Sequence, residues 1–178
     1  MPRGGRRRGI HWLAPFTVSF VTDLRSSQRR LYSGGRIGQE VHAASSLPQR
    51  RIIFDRSLLR DPAELRRIVT HELFHFAWVR LGNTWRRKWE SLLAAECEAG
   101  ARGELGWSAE WRKREVSASD RRRRSERWRA YACESFCDSA AWLLTGARPH
   151  REATLGKRRA GMRAEWFTVL FRERGVSI

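Results

Sequence analysis

The sequence predicts an α+β fold: a short mixed or antiparallel sheet first, then a mostly helical C-terminal half. Three observations carry this expectation. Short β-branched and aromatic runs, broken by turn residues, occupy the first third of the chain. From Asp61 onward, apolar residues recur at helical spacing. The chain has 178 residues, 41% of them hydrophobic, enough for one domain with a real core. Residues 1–11 are expected to be a basic, mobile, glycine-rich tail, and residues 12–178 a single domain.

Residues 16–22 alternate, with Phe16, Val18, Phe20 and Thr22 among them, and read as a strand. Ser33-Gly34-Gly35 marks a turn. Residues 37–45 and 51–54 are two further short strands, separated by a turn holding Pro48. Asp61-Pro62-Ala63-Glu64 is a helix start: an Asp N-cap, Pro at the first helical position, Glu three residues after the cap. Leu65, Ile68, Val69, Phe76 and Val79 then give this helix a buried side, and Gly82 ends it. A second helix runs from Trp85 to about Ala99, with Trp85, Trp89, Leu92 and Leu93 as its stripe. Residues 100–127 hold three glycines and a charged run ending in Arg121–Arg124. They read as a solvated connection, with a lid over a cleft as the alternative. Tyr131 to Leu144 is rich in small and apolar residues and stops at Gly146. Residues 157–172 make a last amphipathic helix, with Met162, Trp166, Phe167 and Leu170 on one side.

The chemistry is concentrated in the helix that Asp61 starts. His71 and His75 are four apart, so they share one face and can reach a single Zn²⁺ at about 2.0–2.1 Å. Glu72 is turned away from that face, where a carboxylate touches a water on the metal rather than the metal itself, the place of a general base. A catalytic zinc needs a third protein ligand and an open fourth position. Glu134 and Asp138 supply one candidate arrangement: a carboxylate ligand, and one turn later an acid able to hold the N–H of a ligating imidazole. Cys133 and Cys137 supply another. With His71 and His75 they would close a four-ligand structural site that leaves no room for water. A bridge between these two cysteines suits helix geometry poorly, and free buried thiols, with Cys97 the third, are the expectation.

HExxH followed by ExxxD resembles the gluzincins, the thermolysin-like superfamily of zinc metallopeptidases. The resemblance covers two helices and the strands before them. It implies a zincin-like domain in which His71, His75 and Glu134 hold Zn²⁺, Glu72 is the general base and Asp138 is the partner of His71. It also implies an edge strand lining the cleft and pairing with an extended peptide or protein substrate. Val41, His42, Ala43 and Ala44, continuing to Ser45, are the candidates for that strand. Tyr131, one turn before Glu134, is the candidate donor to the oxyanion. A second resemblance, to the DNA-associated SprT-like proteases, rests on HExxH, the positive charge and Gly82-Asn83-Thr84-Trp85. That group takes a histidine shortly downstream as third ligand, and no histidine lies between His75 and His150. A non-catalytic zinc-stabilised domain is the third reading.

The net charge is +17, nearly all of it arginine. The arginines are spread over many elements, so they read as surface composition, with non-specific attraction to nucleic acid at low salt. No run of about 18 or more apolar residues exists, so no membrane span is expected. The basic start is followed by His11, Trp12 and Pro15, a poor signal-peptide core, and a cytoplasmic protein is expected.

Overall fold

A computed structural model of the chain describes residues 9–27, 30–34, 38–146 and 150–178. It is α+β, as the patterning predicts, with small mixed and antiparallel sheets ahead of the helices. The strands are β1 (Ile10–His11), β2 (Thr17–Val21), β3 (Leu24–Ser27), β4 (Arg30–Ser33), β5 (Gln39–Glu40), β6 (Ala43–Ser46), β7 (Arg51–Asp55) and β8 (Val176–Ser177). The six α-helices among the described residues are α1 (Pro62–Arg80), α2 (Asn83–Glu98), α3 (Trp107–Glu115), α4 (Ala118–Arg123), α5 (Glu126–Leu144) and α6 (Lys157–Glu173). None of them is long and apolar enough to cross a membrane.

The central sheet has the order β2-β7-β6, with β2 parallel and β6 antiparallel to β7. β6 is therefore an edge, and its outer side has no strand partner among the described residues. Asp55 N donates to His42 O at 2.8 Å. Alternation along an antiparallel ladder then turns the backbone groups of Ala43 and Ser45 outward. A second sheet, β4-β3-β5, is antiparallel throughout. Its polar strands Leu24–Ser27 and Arg30–Ser33 carry no hydrophobic alternation and were not foreseen. The strand expected over residues 37–45 is split between β5 and β6, in different sheets, and Ile37 and Gly35 lie outside the described residues. Most of the expected tail, residues 1–8, also lies outside them. Its end does not behave as a tail: Ile10–His11 pairs in parallel with Val176–Ser177, and Leu13 N donates to Ile178 O.

Asp61 caps α1 as expected, its carboxylate accepting from Ala63 N and Glu64 N. α1 and α5 pack together as the centre of the molecule. Phe74 and Trp78 of α1 meet Phe136 of α5, which stacks on Phe167 of α6 at 5.0 Å. Trp89 of α2 joins this cluster fully buried, its indole N–H donating to Ala132 O. Leu65, Ile68 and Val69 pack against the core, but Val79 is exposed, because Phe76, Ala77 and Trp78 carry the buried stripe one step round the helix. Residues 100–127 are not a solvated connection. They form α3 and α4, and α3 packs on α5 with Ala109 fully buried.

Behind α3 lies a buried ion-pair network. Arg163 of α6 donates to Glu96 (2.6 Å) and Glu104 (2.6 Å), and Tyr131 and Lys113 also reach Glu104. Burial would raise the Glu104 carboxyl, but Arg163, Lys113 and the Tyr131 hydroxyl overcome it and bring it to about 2. A depressed carboxyl contributes stability above its unfolded value, near 4.5. That contribution is expected to fade as pH falls towards about 2, measured by urea unfolding across this window. Arg163→Met leaves two buried carboxylates without their cation. It is expected to lower unfolding free energy by about 3–5 kcal/mol at neutral pH in the same assay.

Candidate metal centre

α1 and α5 bring the two motifs of the sequence face to face. His71 Nδ1 donates to Asp138 Oδ1 at 2.7 Å, which leaves its Nε2 as an acceptor. His75 Nδ1 faces two thiols, Cys133 Sγ at 3.4 Å and Cys137 Sγ at 3.5 Å, and its Nε2 faces the opposite way. The two Nε2 atoms lie 3.2 Å apart. Glu134 Oε2 is 3.3 Å from the first and 3.8 Å from the second. Three donors on a tetrahedral ion at about 2.0–2.1 Å lie roughly 3.3–3.4 Å apart, and two of the three separations here, 3.2 and 3.3 Å, are close to that, with the third at 3.8 Å. Its chemistry points the same way: two ring lone pairs and a carboxylate oxygen converge, and only a proton or a cation between them relieves the repulsion.

Burial would lower the His71 imidazole, but Asp138 and Glu134 raise it well above its ordinary value. Burial opposes His75 too, yet Cys133 and Glu134 lift it to about 9. Burial would raise Glu134, and the two imidazoles with Arg112 bring it down to about 2.

His71, His75 and Cys137 also form a cluster that could hold a metal ion, each offering a ligand atom within 4.8 Å of the others. The two arrangements differ in how they use His75. Cys137 meets it at Nδ1, whereas His71 and Glu134 meet it at Nε2. The two nitrogens of one ring point apart, so one ion cannot engage both. The four-ligand set of His71, His75, Cys133 and Cys137 is thus not assembled around a single point through the Nε2 atoms.

Asp138 does more than hold His71. Its second oxygen accepts from Ala109 N at 3.0 Å, in the first turn of α3, a helix whose N-cap Gly106 has no side chain to offer. Gly106 is pressed against this carboxylate: a Cβ there would stand 2.3 Å from Asp138 Cγ.

A cleft of about 1020 Å³ opens beside the centre, with His71, Glu72 and Asp138 in its lining. Glu72 is 7% exposed and, among the described residues, has no hydrogen-bond or ion-pair partner. Of the residues considered for the edge strand, Val41, His42 and Ala43 are in the cleft lining and Ala44 is not; the ladder turns the backbone of Ala44 towards β7. Tyr131 is not brought to the cleft. It is fully buried two turns before Asp138, and its hydroxyl donates to Glu104 Oε1 at 2.5 Å. Arg112 of α3 is the residue that sequence reasoning missed: it lines the cleft, and its Nε lies 3.3 Å from Glu134 Oε1. Its only signal was a charged run, which is silent about what it faces.

Asp138→Asn removes the charge and leaves one acceptor oxygen for two donors, His71 Nδ1–H and Ala109 N–H, and Gly106→Ala displaces the carboxylate. Each is expected to weaken zinc binding by about 10–100-fold, measured by competition with a chromophoric chelator. Unchanged affinity in Asp138→Asn would mean that the carboxylate does not orient the imidazole. Comparison of the chain with protein-family models, curated proteins and solved structures finds no match in any of the three.

Proposed function

We propose that this chain is a zinc-dependent metallopeptidase whose ligands are His71, His75 and Glu134 and whose general base is Glu72. The observation that carries the reading is Glu72 itself. This carboxylate makes no hydrogen bond or ion pair among the described residues, and it opens on a cleft beside an imidazole of the candidate metal triplet, where its oxygens reach the cleft's solvent. A structural metal site has no use for it.

A bound zinc ion supplies a Lewis acid and brings the pKa of water near neutrality. The chain's own residues do the rest. Glu72 takes a proton from the attacking water and returns it to the leaving amine, the ordinary double role of a carboxylate base. Asp138 holds the Nδ1 proton of His71, so Nε2 stays a ligand through the cycle. The edge of β6, which begins at Ala43 in the cleft lining, offers outward backbone groups to an extended peptide. Arg112 stands where negative charge on a carbonyl oxygen can be met, the role first expected of Tyr131.

A second reading, a closed thiolate site, is favoured by one observation: Cys137 belongs with His71 and His75 to a group of metal-binding spacing. The two readings differ in ligand atoms. Zinc-edge X-ray absorption is expected to show only nitrogen and oxygen neighbours at about 2.0–2.2 Å, and sulfur at about 2.3 Å would establish the second reading instead. Glu72→Gln is expected to retain zinc and lose about 10²–10⁴-fold in peptide hydrolysis. Full turnover by that variant would remove Glu72 as the base.

A further inference from the structure

The lining of the cleft is uneven in character. One wall is the β6 edge and the residues before it. The other is α3, which turns two large indoles outward: Trp107 is 53% exposed and Trp111 48%. Four apart, they lie on one face of the helix. Arg114 sits over the ring of Trp107 at 5.8 Å and Arg112 over that of Trp111 at 5.7 Å.

The charges in this cleft are unequally satisfied. Its carboxylates other than Glu72 are taken: Glu40 by Arg25, Glu110 by Arg114, Glu152 by Arg67, Asp138 by His71. Arg102 and Arg151 line the same cleft, are exposed, and have no ion-pair partner among the described residues. Arginine is common all over this surface, but these two are set apart by position. Guanidinium groups left unmatched in a walled cleft beside a metal centre attract a carboxylate and repel a basic side chain.

Resting on the metallopeptidase reading, we propose that this cleft takes acidic peptides. An Asp or Glu flanking the cleaved bond is held by Arg102 and Arg151, and apolar parts of the same segment lie against Trp107 and Trp111. An extended peptide is favoured over a nucleic acid strand because the free edge of β6 begins at Ala43 in the cleft lining, and its outward main-chain groups pair with another main chain.

The test measures binding and turnover separately. Zinc-loaded Glu72→Gln protein is titrated by fluorescence anisotropy with labelled peptides of one core sequence, flanked by Glu, Gln or Lys. A single-stranded oligonucleotide of similar length is included. The Glu-flanked peptide is expected to bind roughly tenfold more tightly than its Gln counterpart, with the Lys-flanked one weakest. The preference is expected to shrink at high salt and to reverse in R102E/R151E. Equal binding of the three peptides, or no binding of any, overturns the proposal. So does an oligonucleotide that binds more tightly than the Glu-flanked peptide and is lost in the same double variant. Turnover is then read on the zinc-loaded protein with Glu72 intact. Cleavage of all three peptides at equal rates sinks the acidic preference and leaves the hydrolase standing. Selective binding without cleavage of any sinks the hydrolase instead.

Discussion

Everything at this centre hangs on the Asp138 carboxylate. One oxygen fixes the tautomer of His71, and the other substitutes for a missing N-cap on α3. A single side chain of α5 thus sets the imidazole of α1 and the start of the helix that walls the cleft. Its two hydrogen bonds, 2.7 and 3.0 Å long, are enclosed, with the residue 2% exposed, and they tie α1, α3 and α5 together. Gly106 completes the constraint from outside, because only a residue without Cβ fits against that carboxylate. Its φ of −172° is ordinary extended backbone; the demand is for space.

The Arg163 network serves the same end from behind. Glu104 stands in the loop that leads into α3, and its main-chain oxygen accepts from Thr154 N and Leu155 N while its side chain binds Arg163, Lys113 and Tyr131. Burying an arginine with two glutamates is rarely a gain in stability over apolar packing. Its effect here is positional: a charged loop residue with many fixed partners has one place to sit. Tyr131 belongs to this support, one layer removed from His71, His75 and Glu134. Seen this way, α5 has three working faces. Tyr131 and Ser135 meet the buried ion pairs, Cys133 and Cys137 meet His75, and Glu134 reaches both imidazoles.

Charge in this protein works at two ranges. Spread over the surface, arginine gives a long-range positive field that salt screens within about 10 Å. Inside the cleft, each guanidinium either meets a particular carboxylate or does not, and that local difference separates Arg67 and Arg114 from Arg102 and Arg151. Composition alone could not make that distinction.

Much of the α-helical half was legible in the chain. Asp61, Pro62 and Glu64 carry a local capping chemistry that needs no tertiary partner, so α1 begins where they place it. Trp89 and Leu93 are buried as their helical spacing indicates. The spacing put His71 with His75, and Glu134 with Asp138, on single helix faces; that His71 meets Asp138 and Glu134 is what the gluzincin resemblance implied. The polar strands β3 and β4 were not legible, because they are held by pairing with each other and with β5, without hydrophobic alternation. Nor was α3, whose start is stabilised by a carboxylate 29 residues away in sequence. By itself the sequence determined which residues could bind a metal and the helices that carry them, since spacing four apart on a helix is a local property. Only the tertiary structure decided which nitrogen of His75 faces which partner, that Tyr131 points into an ion-pair network, and that Arg112 reaches Glu134. Those depend on how α1, α3 and α5 pack, and packing joins residues whose separation in sequence carries no signal of their contact.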